Sequence, residues 1–150
     1  MTGDERTGAD EEELRMSDKD QPRGALTVRV IAMPADTNAN GDIFGGWVLS
    51  RMDQAGGIAG VERAKGRVVT IAIQAMTFHR PMKVGDVLEV YTEVERVGRS
   101  SMTIHIEAFA VRFKTHHREK VTDGTFTFVA IDDDGKPRPI PPAGVNEKRS

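Results

Sequence analysis

The sequence predicts a single α+β domain in which one helix is carried by an antiparallel sheet. Three observations lead there. One strand-like run precedes one helix-like run, and four strand-like runs then follow in succession with no second helix between them. Apolar residues at helical spacing are confined to about 43–65. A chain of 150 residues is long enough for one real core and too short for two ordinary domains.

Residues 1–24 have no apolar periodicity and mix acids with Gly, Pro and Ser, so they read as a disordered acidic tail. From Ala25 to Met33, Leu26, Val28, Val30 and Ala32 alternate with Thr27, Arg29 and Ile31, the pattern of a strand. Pro34 to Asp42 is dense in turn formers, Asn40-Gly41 above all. Ile43 to about Lys65 reads as the helix, with Asp42 as a plausible N-cap and Val48, Met52, Ala55 and Ala59 on one stripe. It holds Gly45, Gly46, Gly56, Gly57 and Gly60, and each interior glycine costs about 1 kcal/mol against alanine. Such a helix implies close approach by another backbone. Strands are expected at Arg67–His79, Asp86–Val97, Ser101–Lys114 and Lys120–Asp132. The domain therefore spans 25–132, and residues 133–150, with Pro137, Pro139, Pro141 and Pro142, form an extended or disordered tail.

Composition removes several function classes. Without cysteine there is no disulfide, thiolate metal site or cysteine nucleophile. The tail at 1–24 carries eight acids and four bases, and the remainder is only +2, too little for a nucleic-acid surface. No apolar run reaches membrane-span length, and Met1 to Arg6 do not open a secretory signal. A soluble, cytoplasmic protein with no membrane partner is expected. G-x-S-x-G, P-loop and G-x-G-x-x-G motifs are absent, which sets aside serine hydrolase, NTPase and dinucleotide readings.

Asp53 needs an explanation. At helical spacing its neighbours are Gly46, Leu49, Gly56, Gly57 and Gly60, so one carboxylate stands on a face of glycine and a single leucine. It is either a base aimed at something that comes close, or a structural acid paired with a residue such as Arg51. Gly45 and Gly46, in the first helical turn, offer free amides and the positive end of the helix dipole. Such donors can polarise a thioester carbonyl and hold its oxyanion; the plainer alternative is a packing pair. Eight residues of helix separate Gly45 from Asp53 by about 12 Å. Donors and base must meet at one carbonyl carbon, which points to two antiparallel copies of the helix sharing the site across a two-fold axis.

The run Met33-Pro-Ala-Asp-Thr-Asn-Ala-Asn-Gly-Asp-Ile-Phe-Gly-Gly-Trp47 resembles the signature of the bacterial YciA-type acyl-CoA thioesterases. The similarity continues through Met52-Asp53, Ala55-Gly56-Gly57, Gly66 to Thr70, Met76-Thr77-Phe78, Arg80-Pro81, Val84-Gly85-Asp86, Val97 to Ser101, Phe126 to Ala130 and Asp134-Gly135-Lys136. The resemblance implies a hotdog fold, a five-stranded antiparallel sheet wrapped around the helix. It also implies a homodimer with a continuous ten-stranded sheet, commonly a trimer of dimers. The implied reaction hydrolyses acyl-CoA to free acid and CoA, with no cofactor, since CoA belongs to the substrate and product. Asp53 matches the catalytic carboxylate, and Gly45 and Gly46 match the glycines that polarise the carbonyl. Asp42 matches a position that is a functional Asn in related double-hotdog enzymes. Many hotdog enzymes have His before the two glycines, where this chain has Phe44, as is normal for the YciA-type group that it resembles.

CoA phosphates call for cations. Arg99 with Ser100 and Ser101, at a strand junction, offers a guanidinium, two hydroxyls and free amides, and Arg80 is a second candidate. Lys83, Arg118 and Arg138 are weaker. Met76, Phe78 and Leu49 fit either an acyl channel or the core. His79, His105, His116 and His117 show no metal-ligand spacing, and Asp132-Asp133-Asp134-Gly135 lacks the ligands of a calcium loop, so no metal is expected. Two competing functions remain. A hotdog dehydratase would need a His–carboxylate pair, and no His lies near Asp53 in sequence. A non-catalytic acyl-CoA-binding module would usually carry a DNA-binding segment.

Overall fold

The protein's structure is a computed structural model that describes residues 21–144. Most of the tail read at 1–24, and residues 145–150 of the tail read at 133–150, lie outside the described residues. Five strands and one long helix occur in the anticipated order: β1 (Ala25–Ile31), α1 (Gly45–Ala64), β2 (Val68–Ile73), β3 (Val87–Val97), β4 (Ser101–Val111) and β5 (Arg118–Ala130). All pairings are antiparallel, in the spatial order β1-β3-β4-β5-β2, so β1 and β2 are the two edges. This is the hotdog arrangement of a five-stranded sheet around one helix.

One face of α1 makes the core. Val48, Met52, Ala55, Gly56, Gly60 and Ala64 are buried along it. They meet Met102, Ile104 and Ile106 of β4 and the stacked rings of Phe126 and Phe128 of β5. The helical glycines have different reasons to exist. A Cβ on Gly56 would lie 2.6 Å from the Phe128 ring and 2.7 Å from Ile106, and one on Gly60 would lie 3.2 Å from Val68. At these positions the close approach comes from side chains of the chain's own sheet, where another backbone was expected. Gly46 and Gly57 meet nothing within 4 Å.

The structure corrects two boundaries. The helix begins at Gly45 with Phe44 as its N-cap, so Asp42 does not cap it. Asp42 instead bridges to Lys83, its amide donates to Asn38 Oδ1 and its carbonyl accepts the Asn38 N–H, all three residues before the helix starts. The strand expected at 67–79 ends at Ile73. After a bulge between Thr70 and Ala72 and two further pairs the ladder stops, and the chain stays tied to β5 by isolated bonds: the Gln74 and His79 amides donate to the Thr125 and Val121 carbonyls, and Thr122 Oγ1 donates to the Thr77 carbonyl. Beyond β5 the chain turns at 132–135 and returns along the sheet end. Arg138 N–H donates to Ala130, and Ile140 N–H donates to Arg99. No helix among the described residues is long and apolar enough to cross a membrane.

Candidate active site

Asp53 projects from the middle of α1 toward β2. Thr70 Oγ1 donates to its Oδ1 at 2.6 Å, fixing the carboxylate from the neighbouring edge strand. The proposed partner Arg51 is engaged elsewhere: its Nη1 donates to Gln54 Oε1, and its guanidinium lies over Trp47, 5.3 Å from the ring centroid. Asp53 is thus partly exposed, held by a single hydroxyl among the described residues, and flanked on the helix by Gly57, whose Cα faces open space. A carboxylate with one oxygen anchored and the other free can take a proton from water or attack a carbonyl.

The helix start lies at the other end of α1. The bonds closing its first turn run from the Trp47 and Val48 amides to the Phe44 carbonyl. Among the described residues the Gly45 and Gly46 amides have no backbone acceptor, as expected for the first positions of a helix. Gly45 lines a cleft of about 300 Å³ with Asn38, Asp42, Phe78, Arg80 and Met82. A side chain on Gly45 would meet the Phe78 ring at 3.6 Å. Asp42 is neutralised by Lys83 Nζ in this cleft, a partner that sequence reading ranked among the weaker cations. Arg80 Nη1 donates to the Lys120 carbonyl at 3.0 Å.

Arg99 and Ser100, with Gly98, form the tight connection between β3 and β4, and Ser101 opens β4. Gly98 N–H donates to the Ser101 carbonyl, Ala130 N–H to that of Ser100, and Ile140 N–H to that of Arg99. The backbone of this turn is therefore pinned from two sides. The Arg99 guanidinium is exposed and has no hydrogen bond or ion pair among the described residues.

The structure does not gather all these groups in one chain. Met102 pairs with Phe128, and Phe128 pairs with Thr70, so Asp53's anchor lies one strand row from Ser101. Two strand spacings put Thr70 about 10 Å from that row's end. Gly45 lines its cleft beside Met82 and Val121, toward the opposite end of the sheet. Each protomer thus presents a carboxylate and a guanidinium turn at one end, and bare amides at the other. The sequence singled out Asp53 and both glycines but missed Thr70. Only the pairing of β2 beside α1 could reveal it.

The edge next to Asp53 is apolar and open. Val69, Ile71 and Ile73 of β2 are 40%, 57% and 41% exposed, and Ile58 and Val61 of α1 are 51% and 46% exposed. A groove lined by Val28, Gly57, Ile58, Val61 and Val68 runs between them. An unpaired strand edge with exposed apolar side chains favours association with another chain.

The sequence model of the Thioesterase superfamily matches residues 40–112. The chain is 49% identical over 126 residues to the acyl-CoA thioester hydrolase YciA of Salmonella typhimurium, covering 82% of this chain and 95% of that protein. The fold is similar to the crystal structure of a hexameric thioesterase from Yersinia pestis, with a TM-score of 0.79, 50% identity and coverage of 82% of this chain and 100% of that one. It is also similar to an acyl-CoA hydrolase from Staphylococcus aureus solved with butyryl coenzyme A and coenzyme A (TM-score 0.70, 30% identity, coverage 81% and 76%). Sequence, strand order and helix therefore agree: the chain belongs to the YciA-type acyl-CoA thioester hydrolases of the thioesterase superfamily.

Proposed function

We propose that the protein hydrolyses acyl-CoA to a free carboxylic acid and CoA in a site built from two protomers. Asp53, anchored by Thr70 and otherwise unpaired on a glycine face, is the observation that carries this reading. In the two-protomer site the Gly45 and Gly46 amides of one chain polarise the thioester carbonyl. Asp53 of the other chain either activates the attacking water or attacks directly, forming an anhydride that water then opens. Both routes use the same carboxylate. The negative charge that develops on the carbonyl oxygen is met by amide donors and a helix dipole already in place. CoA leaves as its thiol after taking up a proton, and no cofactor is required.

The apolar edge of β2 and the Ile58–Val61 patch are covered by the second copy, joining two sheets into one of ten strands. Three such dimers give a hexamer, the assembly named for the Yersinia relative. Arg99, Ser100 and Ser101 receive the CoA phosphates, with Arg80 as a further cation beside the helix start. Asp42, paired with Lys83, holds the cleft wall there. A dehydratase needs a His–carboxylate pair; His79 lines the Gly45 cleft with Asp42, but Asp42 is paired with Lys83 and no hydrogen bond or ion pair joins it to His79 among the described residues.

Asp53→Asn tests the assignment. Turnover of acyl-CoA, followed by release of free thiol, should fall by roughly 10²–10⁴ with binding of CoA little changed. Near-normal turnover by the folded variant would overturn it, and a chain that binds acyl-CoA tightly without ever releasing thiol would favour the binding-module alternative.

A further inference from the structure

A group of titratable side chains lies on the outer face of the sheet, away from α1 and Asp53. Ile104, Ile106 and Ala108 of β4 enter the core, so alternation sends His105 and Glu107 to the face away from α1. Asp123 of β5 pairs with Glu107 across the ladder. A bulge opposite Ala108 and Phe109 turns Lys120 onto this same face, although residues three apart would lie on opposite faces of a regular strand. Ligand atoms of His105, Glu107 and Asp123 all lie within 4.8 Å of one another.

The imidazole is the unexplained member. Its side chain is only 10% exposed, and Nε2 has no hydrogen-bond partner among the described residues. Nε2 points between Glu107 Oε2 and Asp123 Oδ2 at 3.7 Å from each. That is too long for a hydrogen bond. It is close to the spacing of two ligands on one tetrahedral ion, since bonds of about 2.1 Å place neighbouring ligand atoms about 3.4 Å apart. The far ends of these groups are engaged or faced by others. Arg23 N–H donates to Glu107 Oε1 at 2.6 Å, and Glu95 Oε1 faces His105 Nδ1 at 3.7 Å. Nε2 is thus the ring nitrogen aimed between two carboxylates, with a third carboxylate near the opposite ring nitrogen.

We propose that His105, Glu107 and Asp123 bind one divalent transition-metal ion on the outer sheet face, and that Lys120 is the internal cation this ion displaces. Lys120 Nζ lies 2.9 Å from Glu107 Oε2 and 3.4 Å from Asp123 Oδ2, so it neutralises the carboxylates but leaves the imidazole nitrogen without a partner. Its side chain is 26% exposed and can swing to solvent. One imidazole with two carboxylates suits Zn²⁺ better than Ca²⁺ or Mg²⁺, which take oxygen ligands alone. The ion would tie β4 to β5 and stabilise the folded chain by mass action, remote from the reaction.

Calorimetric titration of the full-length protein with Zn²⁺, together with thermal unfolding, tests the site. One ion per chain and a rise in Tm with Zn²⁺ are expected. His105→Ala should weaken binding by more than about tenfold. Lys120→Met should tighten it by removing the competitor. The double variant His116→Ala/His117→Ala, in the β4–β5 hairpin, should bind as wild type does. Should His105→Ala fail to fold, Asp123→Asn, at the more exposed ligand, takes its place with the same expected loss. Absence of binding by wild type, or binding unchanged by loss of His105 or Asp123, overturns the proposal.

Discussion

Thr70 decides which way Asp53 points. Its hydroxyl is the only group hydrogen-bonded to that carboxylate among the described residues. Hydrogen bonds to charged groups are worth about 1.5–3 kcal/mol. If most of that positioning is realised in the transition state, Thr70→Val should lower kcat by about 10- to 100-fold while leaving KM nearly unchanged. Thr70→Ser keeps the hydroxyl and should recover most of the rate. Steady-state kinetics on one acyl-CoA with both variants checks this, and equal losses in the two would make Thr70 a packing residue instead. Asp53 could be picked out by sequence because its helical neighbours are fixed by chain spacing. Thr70 is 17 positions away and on another element, so no local pattern linked it to the carboxylate.

At the scale of the helix, the glycines of α1 separate into two kinds. Gly56 admits the Phe128 ring and Ile106, so Gly56→Ala must displace core side chains and should cost about 1–3 kcal/mol. Gly57 meets nothing within 4 Å in its own chain, and alanine there should favour the helix itself by about 1 kcal/mol. If the partner protomer packs on this face, Gly57→Ala should nevertheless weaken the dimer. Chemical denaturation, compared with dissociation on dilution, separates the two effects. Gly56→Ala should shift the unfolding midpoint, and Gly57→Ala the dissociation constant. The count of glycines was legible in the sequence. Which of them serves the core and which faces outward was not, because both lie on strips set only by where β2, β4 and β5 pack.

For the whole molecule, the question is whether one chain can be active. Asp53 and the Gly45–Gly46 amides lie toward opposite ends of the sheet and are separated by about 12 Å of helix. Gly46→Val should block the donor side, where the backbone is now open. Neither Gly46→Val nor Asp53→Asn homomers should turn over. A mixed dimer reassembled from the two should hold one doubly defective site and one intact site, restoring about half of wild-type activity per mixed dimer. If both groups served the same site from one chain, every site would carry a defect and mixing would restore nothing. Size-exclusion chromatography beforehand establishes that each variant still assembles.

The sequence by itself determined the element order, the helix within two residues at its start, the five strands and the residues of the 33–47 signature. Each of these depends on contacts between residues close along the chain, where period and turn chemistry act directly. It also marked Asp53 and Gly45–Gly46, because one helix fixes their relative places. The tertiary structure alone decided that Thr70 holds Asp53 and that Lys83 holds Asp42. It decided, too, that His105, Glu107 and Asp123 converge although their spacing suggested no ligand set. These are cross-element pairings, governed by strand register and by bulges at Thr70/Ala72 and opposite Ala108/Phe109. A single-residue shift in register sends a side chain to the other face of the sheet, and no local pattern in the chain encodes that choice.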